Sequence, residues 1–226
     1  MSVHEKAPDK LKRTKTILAM LHEMYPGAEC SLTHKNPYEL LVSTILSAQC
    51  TDVRVNLVTP ALFKRFATPA AMAAADVKEI EKLVQTTGFF RAKAKSLKES
   101  ATDIVAKHGG KVPETMEGLT ALRGVGRKTA NVVLGNAFGQ NVGVVVDTHV
   151  GRLSQRLGLT RHKEPVKIEQ DLVKLVPQQE WTAWSHLLIY HGRAVCVARK
   201  PRCGECRLLA LCPMGNKTLG MDRLAG

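Results

Sequence analysis

Signals that begin and end helices recur at short intervals along the whole chain, and they limit the fold more than any other feature of the sequence. Asn36 and Thr68 are capping residues that each precede a proline, which is favoured at the first position of a helix. Gly88 and Gly109 are typical of helix ends. The one β-like run, residues 142–146, is too short to found a sheet by itself. We therefore predict an all-α protein of about ten short helices.

The composition is that of a folded and strongly basic protein. Hydrophobic residues make up 44% of the chain, and 33 Lys and Arg against 20 Asp and Glu give a net charge of +13. Such a charge favours a polyanionic partner, because each phosphate that a cation neutralises releases condensed counterions. Charge alone also allows a basic protein that binds no nucleic acid.

Nothing in the sequence indicates a membrane or a secretory route. No run of about 18 apolar residues occurs, and the basic N-terminal segment lacks the apolar stretch of a signal peptide. We therefore expect a cytoplasmic protein with no membrane partner, and no feature demands more than a monomer. In a reducing cytoplasm, clustered cysteines more often bind metal than form disulfides.

Four of the six cysteines are spaced as the ligands of one metal centre. They follow the pattern C-x6-C-x2-C-x5-C and are Cys196, Cys203, Cys206 and Cys212. The spacing alone leaves zinc and a [4Fe–4S] cluster both open. Between the first two lies a basic loop with Arg199, Lys200 and Arg202. If metal fixes this loop it can contact phosphate, and otherwise it is a solvated run of charge.

A glycine-containing turn before a helix indicates a site for an anion. Gly124 and Gly126 flank Val125 and allow a tight turn, and the helix that follows starts with free backbone N–H groups. Such a helix start suits a DNA phosphate, and Arg123 and Arg127 add charge on either side. The turn alone is equally compatible with an ordinary connection between two helices.

These residues carry a resemblance to a known family. The segment Leu122-Arg123-Gly124-Val125-Gly126-Arg127-Lys128-Thr129-Ala130 resembles the helix-hairpin-helix motif, LPGVGxKTA, of the endonuclease III family of DNA glycosylases. The similarity also covers residues 46–49, residues 145–150 and the cysteine box, and it extends over about residues 11–212. The chain departs from the family in having Arg123 in place of the hairpin proline, and in a slightly longer segment between Lys128 and Asp147.

The resemblance implies an architecture of two helical lobes. Residues 30–140 would form a six-helix barrel that ends with the helix-hairpin-helix. Residues 1–29 and 141–226 would form an iron–sulfur cluster domain, in which the four cysteines bind a [4Fe–4S] cluster. DNA would bind in the cleft between the lobes, and the protein would be associated with the nucleoid.

The resemblance also implies a nucleophile and a carboxylate. Lys128 would attack the sugar C1′ of a damaged nucleotide and form a Schiff base, which then leads to strand cleavage by β-elimination. An amine attacks only when it is uncharged, a state that desolvation or a neighbouring cation such as Arg127 favours. Asp147 would stabilise the cationic sugar. Without the resemblance, Lys128 reads as a surface charge and Asp147 as a helix cap.

The target atom is unreachable inside stacked DNA, so the base must be flipped out of the duplex. Gln49 matches the family's inserting glutamine, and Phe89 matches the position of an apolar wedge. The other readings are that Gln49 is an ordinary helix-end residue and that Phe89 packs in the core beside Gly88. Lys93 and Lys95 are further candidates for phosphate contacts.

We therefore predict a bifunctional DNA glycosylase and AP lyase that acts on oxidised pyrimidines in double-stranded DNA during base excision repair. A monofunctional relative that removes mispaired bases is an alternative, but such relatives generally lack a lysine at the position of Lys128. A helix-hairpin-helix module without chemistry would not explain Lys128 together with Asp147. A zinc-stabilised structural protein would leave the hairpin unexplained.

Overall fold

The structure, a computed structural model, describes residues 5–220, and this part of the chain contains α-helices, short 3₁₀ turns and no β-strand. The all-α prediction is confirmed. The helices are α1 (Ala7–Met24), α2 (Pro37–Leu46), α3 (Asp52–Arg65), α4 (Pro69–Ala74), α5 (Val77–Val84), α6 (Phe90–His108), α7 (Met116–Thr120), α8 (Arg127–Phe138), α9 (Thr148–Arg156), α10 (Pro165–Leu172), α11 (Trp181–Ala194) and α12 (Pro213–Thr218). No helix within residues 5–220 is both long and apolar enough to cross a membrane.

Local side-chain caps begin several of these helices, as predicted. The side chain of Asn36 accepts a hydrogen bond from the Glu39 N–H at 2.9 Å and begins α2. Thr68 caps α4 through the Ala71 N–H at 3.2 Å. Gly109, with φ 59°, ends α6 in the left-handed conformation that glycine adopts without strain. These boundaries follow from residues that are neighbours in sequence.

The β-like run at residues 142–146 forms no strand, in agreement with the prediction that it is too short to found a sheet. Val144, Val145 and Val146 are buried, and the Val145 N–H donates to the Ser185 hydroxyl at 3.1 Å. The valines are apolar because they line a core, and a side-chain oxygen takes the place of a sheet partner.

Contacts divide the chain into two compact units. One is Cys30–Gln140, which contains α2 to α8 around a core that includes Leu41, Phe66, Ile80 and Leu97. Its longest helix, α6, contacts α2, α4 and α5. The roles predicted for the two units, barrel and cluster domain, remain predictions.

The other unit combines the chain before Cys30 with the chain after Gln140, so α1 packs with α9 to α12. Its core includes Ile17, Leu153, Leu172 and Trp184. Arg13 of α1 donates to the Leu157 carbonyl at 2.7 Å and the Leu211 carbonyl at 2.9 Å. The beginning and the end of the chain are therefore joined through both packing and hydrogen bonds.

Candidate functional site

The turn between α7 and α8 is tight and is held against α6. Gly124 has φ 78°, and a Cβ atom at this position would lie 2.9 Å from the Ser96 Cβ atom. Both the backbone angle and the close approach to α6 therefore require glycine. The Ser100 hydroxyl of α6 also donates to the Arg123 carbonyl at 2.6 Å. Val125 is buried, which anchors the tip of the turn to the core.

The start of α8 is open. Gly126 is the N-cap residue of α8 and brings no side chain to cap the helix. Apart from Gly126 itself and its two neighbours in the chain, no described residue has an atom within 4 Å of the point where a Cβ atom of Gly126 would be. A helix start with this space and the positive end of a helix dipole is suited to an anion such as phosphate.

Lys128 lies in the first turn of α8 and is exposed. The described residues leave its side chain open to water, so water can be excluded from the amine only by a bound partner. The amine can therefore meet an electrophile beside the anion site at the helix start. Lys128 belongs to the unit Cys30–Gln140.

Asp147 caps α9, the other reading that the sequence allowed for it. Its Oδ1 atom accepts a hydrogen bond from the Val150 N–H at 2.8 Å, and the side chain is half-buried. Burial lowers the pKa of His186, and the negative charges of Glu29 and Asp147 oppose part of that lowering. Burial lowers the pKa of Arg152, one turn further along α9, and the Asp147 charge opposes part of that lowering. A carboxylate that the capping hydrogen bond holds in place, and whose negative charge acts on nearby groups, can stabilise a cation that forms beside it.

Gln49 and Phe89 both have backbones in the left-handed region, with φ 53° and 47°. Within residues 5–220, Lys200 at φ 52° is the one further non-glycine residue of this kind. Such a conformation costs about 1–3 kcal/mol and is kept where the surrounding structure enforces it. All three residues are among the predicted DNA contacts. Phe89 is 67% exposed, so the reading of it as a core contact is wrong.

Lys93 corrects another expectation. Its side chain is buried, and its ammonium group donates to the carbonyls of Leu46 at 2.8 Å and Thr87 at 2.7 Å. It is therefore not available to a phosphate. Lys95, two residues on, is on the opposite face of α6, where it is exposed and lies 3.8 Å from Glu99. Helical spacing places Lys93 on the buried face of α6 with Leu97 and Ile104, but it does not show which carbonyls the ammonium group meets.

The exposed Arg123 side chain pairs with Glu99, with the guanidinium Nε atom 2.9 Å from the carboxylate. This pair moderates the contribution that Arg123 can make to a phosphate. We expect Arg123→Ala to weaken binding to damaged and undamaged DNA alike, and to flatten the salt dependence by roughly one counterion. Glu99→Gln should have the opposite effect on affinity, because it releases the arginine. Equilibrium binding over a salt series measures both, and an unchanged slope for Arg123→Ala would leave Arg123 without a phosphate contact.

The four cysteines of the box line one cavity. The Cys196 sulfur accepts from the Arg156 guanidinium at 3.3 Å, and the Cys206 sulfur lies 3.5 Å from His191 Nε2. Burial raises the pKa of the Cys206 and Cys212 thiols, and the neighbouring cysteines raise it further. Thiolates gathered around one cavity need a cation to compensate their charge. The donor set therefore fits a thiolate-bound metal group.

Two arginines that the sequence analysis missed hold the segment after Cys196. Arg152 donates to the Cys196 carbonyl at 3.0 Å. Arg156 donates to the carbonyls of Val197 and Ala198, each at 2.8 Å. The signal for them is their spacing of four residues on α9, which places both on one face of the helix.

The cationic side chains of the basic loop after this segment have two different roles. Arg199 and Lys200 are exposed. Arg202 donates to the Ala194 carbonyl and lies 3.6 Å from Glu205. Arg202 thus helps to hold the loop, while Arg199 and Lys200 are the side chains most open to a partner.

Comparisons with known proteins agree on one family. Residues 42–178 match the model of the HhH-GPD superfamily of base excision DNA repair proteins. An endonuclease III of Synechocystis sp. is 57% identical over 212 residues, which cover 94% of this chain and 97% of the relative. A non-covalent endonuclease III–DNA complex has a TM-score of 0.88 at 40% identity, over 93% of this chain and 98% of the other. A trapped covalent intermediate of endonuclease III with DNA has a TM-score of 0.87 at 40% identity, with coverage of 92% and 98%.

Proposed function

This chain belongs to the endonuclease III family of HhH-GPD base excision DNA repair proteins, and from that premise we propose that it excises oxidised pyrimidines from double-stranded DNA through Lys128. It is a bifunctional DNA glycosylase and AP lyase. The observation that carries the assignment to Lys128 is its place: an exposed amine in the first turn of α8, directly after the open Gly126 helix start.

In the proposed reaction, the Lys128 amine attacks C1′ of the damaged nucleotide. The bond between C1′ and the base breaks, and its electron pair leaves with the base. Opening of the sugar ring then gives a Schiff base between Nζ and C1′. Removal of a C2′ proton leaves its electron pair to form a C2′–C3′ double bond. The bond from C3′ to the phosphate oxygen then breaks, the phosphate leaves with that electron pair, and the strand is cut on the 3′ side. The anion site at the start of α8 would hold a DNA phosphate during these steps.

Asp147 is proposed to act when positive charge develops on the sugar. A carboxylate stabilises an oxocarbenium-like centre electrostatically, as in glycoside hydrolysis generally. Because Oδ1 is fixed by the cap, the group needs no reorganisation at the moment of reaction. We propose that the same carboxylate assists the proton transfers.

The proposed DNA interface consists of the hairpin, the two strained positions Gln49 and Phe89, and the basic loop that contains the strained Lys200. Gly124, Val125, Gly126 and the flanking Arg123 and Arg127 would contact a phosphate. Gln49 would fill the gap left by the flipped base, and Phe89 would act as the wedge. Arg199, Lys200 and Arg202 of the basic loop would contact the backbone.

The metal group is proposed to be a [4Fe–4S] cluster bound by Cys196, Cys203, Cys206 and Cys212. Each iron of such a cluster takes one thiolate, so four thiols around a shared cavity fit it. The cluster would fix the fold of the basic loop, because thiolate ligation couples metal binding to local folding.

Protein purified without air should contain iron and absorb light at about 400 nm because of thiolate-to-iron charge transfer. Cys206→Ser should lose most of the iron and weaken DNA binding, since the basic loop would no longer be fixed. Cys30→Ser is the matched control, because Cys30 does not line the cavity, and it should retain the iron. Metal analysis decides between the possibilities: one zinc and no iron per chain would overturn the cluster and leave the glycosylase function standing.

The function is tested by borohydride reduction of the protein on duplex DNA that carries one oxidised pyrimidine. We expect a covalent protein–DNA complex with borohydride, and without it release of the base and a cut on the 3′ side. Base release without a covalent complex would indicate a monofunctional glycosylase. Tight DNA binding without either product would indicate a module that binds without chemistry. A cytoplasmic, nucleoid-associated location and a monomeric state remain predictions.

A further inference from the structure

Lys93 is a buried lysine whose charged end joins two separate loops. The side chain is 6% exposed, and its one ammonium group donates to the carbonyl of Leu46 and to the carbonyl of Thr87. The backbone N–H of Lys93 also donates to the Phe89 carbonyl at 3.0 Å. Leu46 and Lys93 are far apart in sequence, so this nitrogen is a tertiary link between α2 and the start of α6.

Both carbonyls lie two or three positions before a residue with a strained backbone. Leu46 is the last residue of α2, three positions before Gln49. Thr87 ends the 3₁₀ turn Gln85–Thr87, two positions before Phe89. Gln49 and Phe89 are exposed and left-handed, whereas Leu46 and Thr87 are buried. Each of these exposed residues with a strained backbone therefore follows closely after a buried carbonyl that accepts a hydrogen bond from Lys93.

We propose that Lys93 is a positioning residue for base extrusion, fastening the Gln49 loop and the Phe89 loop at a fixed separation so that both side chains enter the duplex together. The inference rests on the proposed function, in which these two residues fill and open the gap around the flipped base. Lys93 touches neither the substrate nor the reacting atoms and acts through the two loops.

The presence of a lysine at position 93 supports a positioning role rather than simple packing in the core. Burial lowers the pKa of Lys93, which shows that the charged form is held at a cost. An unbranched apolar residue would occupy the same space without that cost, but it could not bond to two carbonyls. A buried cation that donates to both carbonyls therefore fixes their separation, and this contribution matters more than the packing of its side chain.

The chain offers a matched control on the same helix. Lys98 of α6 donates its ammonium to the Ala75 carbonyl, at the end of α4 and away from both loops in sequence. Lys93→Met and Lys98→Met each remove a lysine-to-carbonyl link and leave an unbranched side chain that is shorter by the terminal nitrogen. We expect Lys93→Met to slow single-turnover excision from duplex DNA roughly 10- to 100-fold, since small misplacements of positioning groups have effects of this size. Lys98→Met should stay within about twofold of the parent protein.

A double-mutant cycle separates positioning from a general loss of structure. In a Gln49→Ala/Phe89→Ala background, Lys93→Met should slow excision further by less than about threefold, because the side chains that Lys93 positions are already gone. Additive losses, or equal effects of Lys93→Met and Lys98→Met, would overturn the proposal. If Lys93→Met does not fold, Lys93→Arg is taken through the same cycle, and additivity there has the same meaning.

Binding to a duplex with a stable abasic analogue opposite 2-aminopurine gives a readout without chemistry. The parent protein and Lys98→Met should change the fluorescence of the orphaned base, and Lys93→Met should lose most of that change at saturating protein. An unchanged signal for Lys93→Met would overturn the positioning role. If the parent protein binds the duplex but excises no lesion, the proposed function fails instead, so the two failures are distinguishable.

Discussion

Lys128→Ala should abolish the covalent complex that borohydride traps, and should lower strand cleavage at an abasic site by at least about 10³-fold. The reason is that the Schiff base forms on this amine, and removal of a nucleophile is among the largest effects of single catalytic substitutions. Affinity for DNA should change by less than about tenfold, because one exposed cation contributes a small share of the phosphate interaction. Gel analysis of the trapped complex and equilibrium binding measure the two effects separately.

The matched control for Lys128→Ala is Lys107→Ala, which removes the same charge from an exposed lysine in the last turn of α6. It should trap as the parent protein does. Full trapping by Lys128→Ala would assign the Schiff base to another amine. A parallel loss in Lys107→Ala would instead attribute the effect to net charge.

Asp147→Asn should slow base excision by about 10²- to 10³-fold, the size found when one preorganised electrostatic group is removed from an active site. Asparagine is about as good a cap as aspartate, so α9 should remain intact and DNA affinity should change little. Single-turnover excision, thermal unfolding and DNA binding together separate the charge from the cap.

Asp76→Asn provides the same substitution at another helix start, since Asp76 caps α5 through the Lys78 N–H at 2.9 Å. It should leave excision unchanged. Asp147→Ala should in addition lose about 1 kcal/mol of unfolding free energy with the cap. Normal excision by Asp147→Asn would restrict Asp147 to its capping role.

The sequence by itself determined the features that depend on neighbouring residues. Asn36 and Thr68 cap helices with their own side chains, and Asp147 does the same at the start of α9. Gly124 marks the hairpin because a left-handed backbone angle at that point requires it. The cysteine box could likewise be recognised, because its four ligands fall within one short segment.

Only the tertiary structure decided what depends on residues distant in sequence. The valines at residues 144–146 look like a strand, but they are buried without a sheet partner. Lys93 looks like a surface cation, yet the carbonyl of Leu46, which lies on another helix, accepts a hydrogen bond from it. Periodicity and composition report the chemistry of a side chain and its local conformation. Periodicity and composition do not report which distant group a side chain meets. Burial and hydrogen bonding to such distant groups decide whether a lysine faces DNA or positions the residues that face DNA.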